Sequence, residues 1–227
     1  MKLLAAISFV MLFALPASAA DILKTEKQKT LYGVGLVISR QLGVFNLTPR
    51  ELRLVKKGIT DGVLGRKPRV DFATYSKKSQ EMGIARRNAY GKQLETKAGK
   101  FMDEAGRRQG AVKTSSGLIY LPRLEGQGSN PGTTDSVKIH YRSTLVDGKE
   151  VDSSYKRGKP DEAALNEFLK CLTEGVQMMK PGGEARLVCP PETGFGKDGS
   201  GIIPPNATLV FDVELLEVKM NSDVQDE

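Results

Sequence analysis

The run Thr208-Leu209-Val210-Phe211-Asp212-Val213-Glu214-Leu215-Leu216 decides the fold of the C-terminal half of the chain. Phe211, Val213 and Leu215 alternate with Asp212 and Glu214, a period of two that puts one set on an apolar face and the other in water. Three shorter runs carry the same signature: Leu118-Ile119-Tyr120-Leu121, Val137-Lys138-Ile139-His140-Tyr141 and Ala185-Arg186-Leu187-Val188-Cys189. All are rich in β-branched or aromatic residues and bounded by Gly, Pro, Asn or Asp, which reads as strands. Asp147-Gly148 marks a turn between two of them. One short helix, about Glu167 to Met178, interrupts the series and is closed by Lys180-Pro181-Gly182-Gly183. The pattern predicts an antiparallel sheet with a helix packed on one face.

Upstream of Ala111 the period changes to that of helices. Leu23, Leu31, Val34, Ile38 and Leu42 form one helical stripe, with Gly33 and Gly35 inside it. No third glycine or preceding strand makes these a phosphate loop, so close approach of a second helix is the better account. A second helix starts at Thr48: Pro49 suits the first helical position, Glu51 completes a capping box, and Gly65 ends it. From Asp71, a plausible N-cap, to about Gly106 there is no proline. Phe72, Tyr75, Met82, Leu94, Ala98, Phe101 and Ala105 form a sparse stripe, so one long helix is expected, roughly 50 Å at 1.5 Å per residue, projecting as an arm. Three helices with so few large apolar side chains bury them most economically against a second copy, which predicts a homodimer.

The first twenty residues read as a signal peptide: Lys2, an apolar run from Leu3 to Leu15, then Pro16 and Ala17-Ser18-Ala19-Ala20. Cleavage near residue 20 would release the mature chain. Residues 21–111 hold 20 Lys and Arg against 9 Asp and Glu, while residues 112–227 hold 13 against 18, which argues for two units with different surfaces. The basic half lacks a stacking cluster, zinc knuckle or recognition helix, and export removes the partner, so nucleic-acid binding is not expected. His140, Cys171 and Cys189 are too few and too scattered for a zinc or Cys-His catalytic site. The expected organisation is a signal peptide over 1–20, a helical dimerisation domain with a long linker helix over 21–111, a sheet domain over 112–219, and a disordered tail over 220–227.

Specific residues then carry a family likeness. The stretches Val151 to Pro160 (VDSSYKRGKP), Leu172 to Gly196 (LTEGVQMMKPGGEARLVCPPETGFG) and Gly201 to Val218 (GIIPPNATLVFDVELLEV) resemble the FKBP-type peptidyl-prolyl isomerases. His140 to Ser154 matches the first pocket strand and its turn. The helical region resembles the dimerisation segment of the Mip-like exported branch, joined through Ser115 to Tyr120. The resemblance implies an α+β fold: an all-helical N-terminal domain, then a twisted antiparallel sheet wrapped around a short helix, with an apolar pocket between them. It implies isomerisation of X-Pro bonds without cofactor or metal, proline-containing or unfolded polypeptide clients, and macrolides as candidate ligands.

Carried over residue by residue, the resemblance assigns catalysis to Tyr141, Asp152, Leu169 and Phe211, Leu169 acting through its backbone N–H. Substrate binding falls to Val151, Phe168, Leu172, Phe195, Ile202 and Ile203. Several positions depart from the family pattern. Val151 replaces an aromatic, Ala163 falls where a phenylalanine is usual, Leu172 replaces the floor tryptophan and Phe195 replaces a tyrosine; Phe168, in place of a small aliphatic, refills part of the space. A reshaped, less aromatic pocket predicts a weak isomerase, with a dimeric holdase as the alternative. From the residues alone Asp152 could instead cap the Ser153-Ser154 turn, and Tyr141 and Phe211 could be plain core. Lys197 and Asp198 read as solvated turn residues. Cys171 and Cys189 are by default unpaired, with a disulfide as the alternative if helix and sheet bring them together. The expected location is the periplasm; outer-membrane association is left open.

Overall fold

The computed structural model describes residues 23–221, so the expected signal peptide and the tail from Ser222 lie outside the described residues. The chain divides into two compact units, the first ending at Arg40 and the second beginning at Gln41. Helix α1 (Glu26–Gln41), which falls in the first unit but for its last residue, buries none of its residues. Leu31, Val34 and Val37 on it are more than half exposed.

In the second unit a 3-10 turn over Leu42–Phe45 precedes helix α2 (Pro49–Val63). Its start is fixed locally, as the sequence reading expects. Glu51 N–H donates to Thr48 Oγ1 at 3.3 Å and Thr48 N–H donates to Glu51 Oε2 at 2.9 Å, closing the capping box. Helix α3 (Phe72–Gly106) runs 35 residues from its N-cap Asp71, whose Oδ1 accepts the Thr74 N–H at 2.8 Å. Its first three turns, to Met82, are largely exposed, with Phe72 78 % accessible, and burial begins at Gly83. Its second half is not free. Gly91, Leu94, Ala98 and Ala105 are buried, a stripe at helical spacing that meets the Pro204-Pro205 segment at Gly91, the core at Leu94 and the outer face of the sheet at Ala105. Glycine and alanine at these positions let the helix axis come close.

Seven strands follow: β1 (Val112–Lys113), β2 (Ile119–Leu124), β3 (Ser136–Leu145), β4 (Glu150–Ser153), β5 (Asp161–Ala164), β6 (Glu184–Cys189) and β7 (Leu209–Lys219). All pair antiparallel in the order β1-β2-β6-β7-β3-β4, with β5 also on β3. Strand β3 thus has β7 on one side and shares its other side between β5, along Ser136–Ile139, and β4, along Arg142–Thr144. Between β4 and β5 lies the one-turn helix α4 (Ser154–Arg157). Helix α5 (Lys170–Gln177) packs on the inner face.

Alternation divides the side chains between two faces. Ile139, Tyr141, Leu187, Phe211, Val213 and Leu215 share the inner core with Leu172 and Val176 of α5. Ile119, Leu121, Val188 and Val210 form a smaller outer cluster, capped by Phe101, Met102 and Ala105 of α3. Cys171 on α5 and Cys189 on β6 are fully buried and joined as a disulfide, with Cα atoms 5.8 Å apart. This corrects the unpaired default: the helix that packs on the inner face sets its first turn over the end of β6.

Candidate active site

Tyr141 stands in the middle of β3 and is 9 % exposed. Phe211 on β7 lies on the same face, its ring centroid 5.9 Å from that of Tyr141 at a 60° tilt. Asp152 on β4 is opposite Ser143, one inward position along from Tyr141. The register therefore brings the Asp152 carboxylate within reach of the Tyr141 phenol, which donates to Oδ2 at 2.6 Å. The other oxygen accepts the Ser153 N–H at 2.7 Å. Asp152 thus supports the turn as well as the tyrosine; the cap of α4 itself is Ser153, whose Oγ accepts the Lys156 N–H.

Arg157 closes this corner, and the sequence reading missed it. Helix α4 ends at Gly158, whose φ of 76° turns the chain back into β5. Arg157 is left between three acceptors. It donates to Asp152 Oδ1, to Asp161 Oδ2 at 2.6 Å and to the Tyr141 oxygen at 3.2 Å, with its guanidinium carbon 5.5 Å from the ring centroid. The legible signal was Arg157 and Asp161 four residues apart inside VDSSYKRGKP. Burial, reinforced by the hydrogen bond to Asp152, pushes the Tyr141 phenol above the ordinary tyrosine range despite the opposing pull of Arg157. Asp161, followed by the Tyr141 contact, holds Arg157 charged.

The strand beneath is pinned as well. Tyr141 N–H donates to the buried Ser154 Oγ at 2.8 Å, which returns a bond to the Tyr141 carbonyl at 3.2 Å and lies 2.9 Å from His140 Nδ1. His140 points to the opposite face, stacked on Tyr155 with centroids 4.4 Å apart. It belongs to the sheet exterior rather than to this site.

The floor comes from α5. Leu169 is its N-cap, so the Leu169 N–H lies outside the helix's own ladder. Leu172, one turn in, is 3 % exposed. Tyr141, Leu172, Ile203 and Phe211 fall in one buried cluster, against which Val151, Phe168, Leu169 and Phe195 pack. Ala163 sits on β5 opposite Val137. Ile202 stands apart from this group: a Cβ on Gly43 of the 3-10 turn would meet its Cγ2 at 2.7 Å. Lys197 and Asp198 are exposed loop residues, but the Asp198 carbonyl also accepts a bond from Arg87 of α3. Among the described residues no group of three or more His, Cys, Asp or Glu is placed to hold a metal.

Two family models adjoin on this chain. The model described as FKBP-type peptidyl-prolyl cis-trans isomerase matches residues 127–216, and the domain amino terminal to FKBP-type peptidyl-prolyl isomerase matches residues 27–121. The FKBP-type peptidyl-prolyl cis-trans isomerase FkpA of Escherichia coli K12 is 34 % identical over 231 residues, covering 95 % of this chain and 85 % of that protein. The chain belongs to the FKBP-type peptidyl-prolyl cis-trans isomerase family. An FKBP-type 22 kDa isomerase of the same organism is 34 % identical over 202 residues, covering 86 % of this chain and 96 % of that one. The crystal structure of FkpA from Escherichia coli superposes with a TM-score of 0.59 at 32 % identity, over 87 % of this chain and 98 % of that chain.

As an FKBP-type enzyme the protein catalyses rotation about X-Pro peptide bonds, in line with its sheet, short helix and N-terminal helical region. Rotation must cross a barrier of about 18–20 kcal/mol set by amide resonance, and no bond need be made or broken to lower it. An FKBP-type site therefore acts by binding the twisted amide better than either planar form.

Proposed function

We propose that this protein is an exported, periplasmic prolyl isomerase of reduced activity, whose substrate site is the cluster around Tyr141, Asp152, Leu172, Ile203 and Phe211. The gathering of these residues from five separate segments at one place on the inner face carries the reading. The prolyl ring fits against Phe211, Tyr141 and Leu172, and Val151, Phe168 and Phe195 close the sides. The Leu169 N–H takes a substrate carbonyl, and the Tyr141–Asp152–Arg157 corner faces the amide as it twists. The positions lacking rings, Val151, Ala163 and Leu172, together with the absent hydroxyl at Phe195, weaken the fit.

A protease-coupled assay on a proline peptide tests this. Phe211→Ala should lower kcat/KM at least about tenfold, since a ring contact and buried area are lost together. Unchanged activity in that variant and in Asp152→Ala would place the site elsewhere.

A second reading, client holding by a dimer, is favoured by one observation. Leu31, Val34 and Val37 of α1, Leu54 and Val63 of α2, and Phe72 of α3 are all more than half exposed in the single chain. Residues 21–111 are proposed to pair two copies through part of this surface and residues 112–219 to form the isomerase domain, after removal of a signal peptide near residue 20. Sedimentation of the mature protein as a monomer, or an intact Met1 in the native protein, would overturn the respective parts. Macrolide affinity follows from the same pocket and should be low where rings are missing.

A further inference from the structure

Helix α3 reaches the rim of the proposed pocket as well as the outer face of the sheet. The segment Phe195–Asn206 is a self-closed loop: Ser200 and Ile203 exchange N–H···O bonds at 3.0 and 2.8 Å, Gly199 N–H donates to the Phe195 carbonyl at 3.1 Å, and Asn206 N–H to the Gly196 carbonyl at 3.0 Å. Gly199 and Gly201 adopt φ of 64° and 54°, a left-handed conformation that glycine takes most readily. Held this way, the loop is one hydrogen-bonded piece that includes Phe195, Ile202 and Ile203.

Three contacts dock that piece on the helical segment. Arg87 of α3 donates from Nη2 to the Asp198 carbonyl. One turn on, Gly91 is buried so closely under Pro204-Pro205 that a Cβ there would lie 2.9 Å from the Pro205 oxygen and 3.4 Å from Pro204 Cβ. Ile202 meets Gly43 of the preceding 3-10 turn, which in turn sets Phe45 against Gly83 of α3. One turn beyond Gly91, Leu94 is 2 % exposed and belongs to the same core as Ile203, Tyr141 and Phe211. The neighbouring Tyr90 donates to Asp147 Oδ2 at 2.7 Å, tying the β3–β4 hairpin to the same face.

We propose that α3 is a positioning element of the isomerase site, with Gly91 and Arg87 as positioning residues that set the Phe195–Asn206 loop and, through it, the placement of Ile203 and Phe195 against the substrate. This rests on the pocket reading above and adds a demand on residues that touch no substrate. It also makes Gly91 distinct from other glycines of the helix: around Gly99 an added Cβ meets nothing within 4 Å.

The test uses the full chain and two proline peptides that differ in the residue before proline. Gly91→Leu pushes against two backbone-held prolines, so KM should rise at least about threefold and the ratio of kcat/KM between the peptides should change. Gly99→Leu should leave both within about 1.5-fold. A variant that merely unfolds in part lowers kcat for both peptides equally and moves neither KM nor the ratio; that result for Gly91→Leu overturns the proposal. Should Gly91→Leu not fold, Arg87→Ala decides, since it inserts no atoms: a KM about twofold higher, restored by Arg87→Lys, supports the docking, and an unchanged KM overturns it. Phe211→Ala run in parallel separates the two ideas. If it keeps full activity the pocket reading fails; if it loses activity while KM and ratio ignore Gly91 and Arg87, only the positioning role fails.

Discussion

The Tyr141 phenol donates to Asp152 Oδ2 at 2.6 Å while Arg157 donates to both. The tyrosine is held neutral from one side and oriented from the other. Its folded-state pKa lies above the ordinary value near 10, so the folded chain holds that proton more firmly than the unfolded one. The corresponding stability is fully present below about pH 10 and is lost as pH rises past it. Tyr90, Tyr120 and Tyr155 are raised in the same direction, chiefly by burial. Urea titrations at pH 8 and pH 11 should show a smaller alkaline loss in Tyr141→Phe than in the natural protein, and a loss of equal size would refute the role given to burial here.

The Cys171–Cys189 disulfide spans 18 residues and ties the floor helix to the sheet. Chain-entropy arguments give a loop of this length about 3 kcal/mol of stabilisation. The double variant Cys171→Ala with Cys189→Ala should therefore lose about 3 kcal/mol of unfolding free energy in urea titration, seen as a lower midpoint. Thiol titration of the denatured, unreduced protein should find no free thiol, and two would contradict the pairing.

Ser143 is 2 % exposed and its Oγ has no hydrogen-bond partner among the described residues. It lies in one inward row with Asp152 and Phe211, where a hydroxyl loses water and gains nothing. Ser143→Ala should raise stability by about 1 kcal/mol in denaturant titration. A fall of that size would mean the hydroxyl is bonded after all.

Restoring rings should restore rate. Leu172 is too buried to accept an indole without relief, since overpacking costs about 1–3 kcal/mol. Leu172→Trp with Phe168→Val and Phe195→Tyr exchanges volume between neighbouring floor positions. Its kcat/KM on a proline peptide should exceed that of the natural protein by about tenfold, one to two aromatic contacts' worth. No gain in a folded triple variant would mean that the substituted positions do not limit the reaction.

Features governed by neighbours in sequence were readable in advance. Thr48, Pro49 and Glu51 announce α2 because a capping box is local, and Phe211, Val213 and Leu215 announce β7 because alternation is local. Strand β5 was not legible, since Asp161-Glu162-Ala163-Ala164 has no strand-forming side chain and is extended only because the free half of the β3 edge recruits it. In the proposed site, Tyr141, Asp152 and Phe211 stood out through motif spacing. Arg157 did not, because its role depends on a reversal at Gly158. The docking of Gly91 under Pro204-Pro205 joins residues more than 110 positions apart, which no local pattern encodes.

The edges of the sheet bear on how readily it could take on strands from other polypeptides. One edge is β1, two residues long and ending in Lys113; the other is divided between β4 and β5, four residues each and broken apart by α4. Unpaired N–H and C=O groups on a long flat edge template further strands from any extended polypeptide nearby. Here neither margin is long enough to seed that growth. A stray extended polypeptide therefore finds no long row of free backbone groups on which to add a strand, and the sheet makes a poor nucleus for aggregation.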